Sequence, residues 1–348
     1  MPGVVEAIDK LRMLKNEKGP FDLYIDIHGG PRNTQMTFQT ILSLLKHESI
    51  FPKGIYTIIV NKDVPCTIKN ETEYFEYIDF VVGMNEFLNF GKPISMKGKN
   101  LSNDKKLKEF TEQANSIADA LSLCDMEKFK SELGNMSKWI DENHAIYSPL
   151  LKLFIGNIQS DYGKLLENNH LVIDEIEWCL KKGYLQQAMT LIESKMPGEL
   201  FNHGIFDYDI NDKRIAEFKQ KWEPAVNFIF IKIIRSLRIN PYDKVKKESY
   251  GIDLTKNREY YTSNSFTHKQ PWPIHSDGLK LQKDKNYSIN VNASIKYDED
   301  VIRLLLLHFA LKEERNNTNH ASSVRKYTSE NIRNAIGGYV DLAKKIYK

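Results

Sequence analysis

The run Gly54 to Val60 (GIYTIIV) constrains the fold most, because it is apolar at nearly every position instead of every second one. A strand with one solvated face alternates, whereas a near-continuous run predicts a strand covered on both faces, as in parallel sheets. Ahead of it, Phe21 to Ile27 alternates and is rich in β-formers, and between the two Phe38, Ile41, Leu42 and Leu45 recur at helical spacing. Pro52-Lys53-Gly54 ends that helix. Strand, turn, helix and strand make a βαβ unit, so the amino-terminal part is expected to be α/β with a parallel sheet. Val4 to Leu14 precedes it as a short amphipathic helix closed by Glu17-Lys18-Gly19-Pro20. Tyr74 to Leu88 follows as a helix with Phe75, Ile78, Val82 and Phe87 as core positions.

From Gly91 to Asn103 the composition turns to Gly, Lys, Ser and Asn, which marks a linker or boundary. At 348 residues the chain is long for one core, so two domains are expected. Beyond the boundary nearly everything reads as helix: 105–124, 126–133, 147–167, 173–182, 185–194, 224–237, 298–314 and 329–347. Asp125 is a suitable N-cap, Lys182-Gly183 a helix end, and Met196-Pro197-Gly198 a stop. Residues 239–298, with Pro241, Pro271 and Pro273, read as an irregular excursion from a helical core.

Hydrophobic content of 41% and charged content of 27% are those of a globular protein, and the net charge of +3 means that any nucleic-acid surface must be local. Cys66, Cys124 and Cys179 are widely spaced, with no metal-type pairing, and suit reduced thiols. No apolar run reaches the ~18–20 residues that span a bilayer, and no signal-peptide pattern opens the sequence. The expectation is a soluble, cytoplasmic protein without a membrane partner.

Two polar segments carry chemistry. In Arg315-Asn316-Asn317-Thr318-Asn319-His320 an arginine suited to holding phosphate and a histidine suited to moving a proton near neutral pH are separated only by amides and a hydroxyl. Chance alone supplies about one Arg–His pair at such a gap. Arg303 and His308 show the same spacing, but Leu304 to Leu307 lie between them, so that pair belongs to a core helix, and His308 reads as a core or interface residue. On one continuous helix Arg315 and His320 would sit ~140° apart, whereas Asn316 and His320 share a face. Either the motif bends at the helix end, or two copies meet across a two-fold axis to form a joint pocket. The second segment, Asp26 to Arg32 (DIHGGPR), follows a strand and opens onto a helix N-terminus. Gly29 and Gly30 would let backbone approach an anionic nucleotide, and Arg32, Asn33 and Thr34 offer polar contacts; the plainer reading is a glycine turn.

The polar Arg-x4-His motif after an apolar helix resembles the catalytic signature of HEPN ribonucleases, and Asp26 to Arg32 with Met36 resembles the sensing loop of CARF domains. Tyr74–Gly91 (YFEYIDFVVGMNEFLNFG) and Trp178–Glu193 (WCLKKGYLQQAMTLIE) are similar to the same group, the CARF–HEPN accessory ribonucleases of type III CRISPR systems, and the pieces run in the right order. The resemblance implies a partial, Rossmann-like CARF domain over 1–92, a helical linker over 93–145 and an all-α HEPN ribonuclease domain over 146–348. In the family a further βα portion stands ahead of the Asp26 strand, but only residues 1–20 do so here, so the CARF domain is expected to be incomplete.

It further implies a homodimer that cuts single-stranded RNA without a metal or other cofactor, and that takes part in antiviral defence. Arg315 would clamp phosphate, His320 would act as acid/base or donor, and Asn316 and Asn319 would orient the sugar-phosphate or hold His320 in place. A cyclic oligoadenylate would bind His28, Gly29, Gly30, Arg32, Asn33 and Thr34 and activate cleavage. The rival expectations are a constitutive toxin-type ribonuclease and a nucleotide sensor without nuclease activity. Lys232–Lys247 reads as a solvated basic face, and Trp272, near Tyr260 and Tyr261, as ordinary loop packing before any base stacking.

Overall fold

The computed structural model describes residues 2–28, 32–61, 64–96, 104–143, 149–167, 169–208, 252–263, 275–284, 287–295, 299–319 and 327–348. It divides into two compact units, residues 1–115 with 145–154, and residues 116–144 with 155–348.

In the first unit α1 (Pro2–Lys18) leads into β1 (Leu23–Asp26), α2 (Arg32–His47), β2 (Pro52–Asn61), β3 (Val64–Asn70) and α3 (Thr72–Phe90). β1 and β2 pair in parallel through the α2 crossover, with Tyr24 beside Gly54 and Asp26 beside Tyr56, so the βαβ unit is present. Ile8 of α1, Leu45 of α2 and Ile50 form a small core with Leu11, Ile41, Phe21 and Leu23. α3 starts where the Thr72 N–H donates to Asn70 Oδ1 (2.9 Å) and ends at Gly91, whose φ of +67° suits glycine. Phe80, Met84 and Phe87 are fully buried, and Phe80 meets Phe110 and Phe154 edge to face.

Three expectations fail in this unit. The sheet, in the order β1-β2-β3, is mixed and not wholly parallel, because β3 pairs antiparallel with β2. Only residues 62–63 join β2 to β3, and so short a connection permits antiparallel pairing alone. The GIYTIIV run is not covered on both faces: Val60 is 63% and Ile59 41% exposed, as is Ile68 opposite Ile58. Within α3 the inward stripe runs through Phe80, Met84 and Phe87, which leaves Val82 on the exposed side.

α4 (Lys105–Ser122) spans the division of the chain. α5 (Met126–Asn143), within the second unit, begins where Asp125 Oδ1 accepts the Lys128 N–H (3.0 Å), as expected of that cap. These two helices occupy the stretch expected to be a linker. α6 (Pro149–Tyr162) likewise spans the division and continues as a 3-10 turn, Gly163–Leu166. α7 (Val172–Lys182), α8 (Leu185–Ser194) and α9 (Met196–Asn202) follow, with Gly183 at φ +83° ending α7. Trp178 of α7 packs against Phe129 and Tyr162 at ring-centroid distances of 5.4 and 5.2 Å. Then come β4 (Phe206–Tyr208), α10 (Arg258–Thr262), β5 (His275–Asp284), β6 (Tyr287–Ile295), α11 (Glu299–Asn319) and α12 (Ser329–Ile346). Leu304 to Leu307 are all buried, as are Val301, Ile302, Phe309 and Leu311. An α-helix apolar on every side is a central one.

The second unit is mostly helical but not all-α. β4, β6 and β5 form an antiparallel sheet in that order, inside the stretch expected to be irregular. Met196-Pro197-Gly198 ends α8 but also starts α9, since proline suits the first turn of a helix. The expected helix at 224–237 lies outside the described residues, as do Lys232–Lys247 and Trp272. No described helix is long and apolar enough to cross a membrane.

Candidate active site at the end of α11

α11 continues through Arg315, Asn316, Asn317, Thr318 and Asn319, further than its apolar part requires. The Thr318 hydroxyl donates to the Glu314 carbonyl (2.9 Å), one turn back, so this polar side chain is satisfied within the helix. Any bend that would bring His320 toward Arg315 therefore starts no earlier than the end of Asn319. His320 itself lies outside the described residues, and so does the side chain of Asn319.

Arg315 is half-buried and meets α8. Its Nη1 stands 3.0 Å from Glu193 Oε2 and donates to Asn316 Oδ1 at 3.3 Å. Lys312 Nζ approaches the other oxygen of Glu193 at 3.4 Å. The Arg315 contact with Glu193 is a close ion pair without hydrogen-bond alignment, and the buried Arg315 Nε finds no acceptor among the described residues. Two cations thus face one carboxylate, and 27% of the Arg315 side chain stays exposed. A guanidinium with a solvent-facing edge can take a second oxyanion such as a phosphate.

Sequence reasoning did not single out Glu193 and Lys312. Glu193 closes the Trp178–Glu193 stretch that carried part of the resemblance, but nothing local links it to Arg315. The pair exists because α8 packs against α11.

Arg303 and His308 behave as the leucines between them suggested. Arg303 is buried and donates to Glu299 (2.8 Å) and Asp300 (3.0 Å). Burial lowers the His308 pKa to about 3, with Lys312 adding to the effect, and its Nδ1 lies 3.5 Å from the Tyr339 hydroxyl. An imidazole so hard to protonate is unsuited to proton transfer near neutral pH.

The amino-terminal loop is described at its edges. The exposed His28 donates its N–H to Asp26 Oδ1 (2.8 Å), an Asx-type turn at the carboxyl end of β1. Gly29 and Gly30 lie outside the described residues. Arg32, Asn33 and Thr34 form the first turn of α2, with only their backbone described. Tyr261, one of the tyrosines near Trp272 in the sequence, is fully buried on α10. Among the described residues no group of three His, Cys, Asp or Glu side chains converges as metal ligands would.

No family model matches this chain, and none of the curated proteins compared with it matches either.

Proposed function

We infer that the chain is a HEPN-type endoribonuclease that cuts single-stranded RNA without a metal, as a homodimer, in type III CRISPR antiviral defence. The observation that supports this most is the guanidinium of Arg315 at the end of α11, balanced by Glu193 and with 27% of its side chain open to solvent. In the proposed reaction the ribose 2′-oxygen attacks the adjacent phosphorus and the bond to the 5′-oxygen breaks. The products are a 2′,3′-cyclic phosphate and a 5′-hydroxyl. Arg315 binds the non-bridging oxygens, whose charge grows in the transition state. His320 moves the proton taken from the 2′-hydroxyl or given to the 5′-oxygen. Asn316, already bonded to Arg315, orients the guanidinium, and Asn319 supports the sugar-phosphate. A cyclic oligoadenylate at His28, Gly29, Gly30, Arg32, Asn33 and Thr34 shifts the dimer toward its cleaving arrangement, which requires tighter binding to that state than to the resting one.

A fluorescent RNA assay with chelator present, run with and without a panel of cyclic oligoadenylates, tests this. Wild type cleaves and one ring size accelerates it, while Arg315→Ala and His320→Ala each abolish cleavage and remain folded. Undiminished cleavage by either variant removes the catalytic assignment. A rate indifferent to every ring size removes the switch and leaves a constitutive enzyme.

A further inference from the structure

A cavity of about 220 Å³ opens between the last turns of α2 and the first turns of α3, beside the start of β2. Its body is apolar, made by Leu42, Phe51, Ile55, Phe75 and Ile78, and its polar side carries Lys46, Glu76 and Asp79. The mouth is firmly built. Thr72 Oγ1 accepts the Ile55 N–H (3.0 Å) and donates to Asn70 Oδ1 (2.6 Å), tying β2 to the start of α3.

Asp79 is only 7% exposed, and its carboxylate pairs with the Lys46 ammonium. A carboxylate this deep beside an apolar wall needs a cation, but that cation need not come from α2. The Lys46 side chain is 39% exposed and sits on a flexible stem that can return its charge to water. An entering amine would exchange one ammonium for another at Asp79 and leave the buried charge balance unchanged. The apolar part of the ligand would then cover Leu42, Ile55 and Ile78.

The carboxylate acceptor of Asp79 beside an apolar wall suits an ammonium group more than an anion. The volume sets the size, because drug-sized ligands occupy roughly 300–1,000 Å³ and this space admits only a compact ring with a short chain.

We propose that this cavity binds a small apolar amine, with Asp79 holding its ammonium in place of Lys46. The site is distinct from the nucleotide loop. β1 and β2 run parallel with Leu23 beside Pro52, so the cavity lies at their amino ends and His28 follows the carboxyl end of β1.

The test uses the full chain with phenethylamine and its neutral counterpart 2-phenylethanol, read by saturation-transfer NMR and thermal shift. Phenethylamine is expected to bind about tenfold more tightly than the alcohol, because the alcohol cannot take the place of Lys46 at Asp79 and is held by its apolar part alone. Ile78→Trp fills the cavity and abolishes binding. Ser43→Trp, on the exposed flank of α2, covers the mouth without disturbing the core and gives the same loss. Lys46→Met removes the competing ammonium, so phenethylamine raises the Tm of that variant more than that of wild type. Equal binding of amine and alcohol, amine binding that survives both tryptophan variants, or a smaller Tm response in Lys46→Met each overturns the proposal.

Discussion

Two arginines on α11 separate structure from chemistry at the scale of a residue. Arg303 is buried and donates to Glu299 and Asp300, so removing it loses two charge-assisted hydrogen bonds and the packing of its stem, although Asp300 keeps Lys345 and Glu299 is half-exposed. Arg303→Ala is expected to lower the free energy of unfolding by about 2 kcal/mol. Arg315 is partly exposed and poorly aligned with its partner, so Arg315→Ala is expected to lower it by less than ~1 kcal/mol while ending cleavage. Urea melts of the two variants check both values, and a large loss at Arg315 would turn its expected effect on cleavage into a folding effect.

Two histidines act on the pH dependence with opposite sign. Burial keeps folded His308 neutral down to about pH 3, whereas in the unfolded chain it takes a proton below about pH 6.5. In that window the unfolded state binds more protons, so acidification lowers stability, by up to about 1.4 kcal/mol per pH unit. His308→Leu removes this slope. His170 donates toward Glu175 across 2.9 Å, and that hydrogen bond raises its pKa against the opposing effect of burial. Its contribution is full below the unfolded pKa and is lost as pH rises through the folded value, so His170→Gln flattens the alkaline side. Chemical melts from pH 4 to 9 resolve the two, and variants that reproduce the wild-type curve refute the assignments.

At the scale of elements, glycines show where packing overrules propensity. Gly337 and Gly338 lie within α12 where α10 crosses it, and a Cβ on Gly338 would come within 2.7 Å of the Tyr261 Cβ. That opening lets Tyr261 bury itself and lets Arg258 bind Asp341 through two hydrogen bonds of 2.6 Å. Gly338→Ala therefore gains helix propensity but loses more, with an expected net destabilisation of about 1–2 kcal/mol. A methyl group added at Gly134 in α5 would meet nothing within 4 Å, so Gly134→Ala should stabilise by up to about 1 kcal/mol. Thermal melts that rank the two in the opposite order contradict this account.

The same contrast explains what the sequence made legible. Local chemistry was readable: the Asp125 cap, the Gly183 helix end and the bounds of α8 all follow from neighbouring residues. β3 was missed because Pro65 and Lys69 break its pattern and Ile68 points to solvent. The β4-β6-β5 sheet was missed because its strands are rich in Lys, Asp, Asn and Ser, and because Phe206 pairs with Ile295 across a long interval of chain. The candidate site divides in the same way. Arg315 and Asn316 were evident from the motif, but Glu193 reaches Arg315 only through the packing of α8 on α11.

At the scale of the whole molecule, the proposed reaction requires one guanidinium and one imidazole to share a phosphate. α11 stays helical through Asn319, and a continuation of that geometry would carry His320 ~140° around the axis from Arg315. One copy of α11 would then present the two groups in different directions. A two-fold axis beside the helix end removes the difficulty, because the arginine of one copy can face the histidine of the other. Assortment of subunits tests this without a further structure. In an equal mixture of Arg315→Ala and His320→Ala, freely exchanged, about half of the dimers are mixed pairs. A pocket that joins the arginine of one copy to the histidine of the other restores about a quarter of the wild-type rate, because each mixed pair holds one complete site, whereas sites built within one chain restore none. Light scattering of the same sample must show a dimer; a monomer that cleaves at full rate would place both groups within a single chain and require a turn immediately after Asn319.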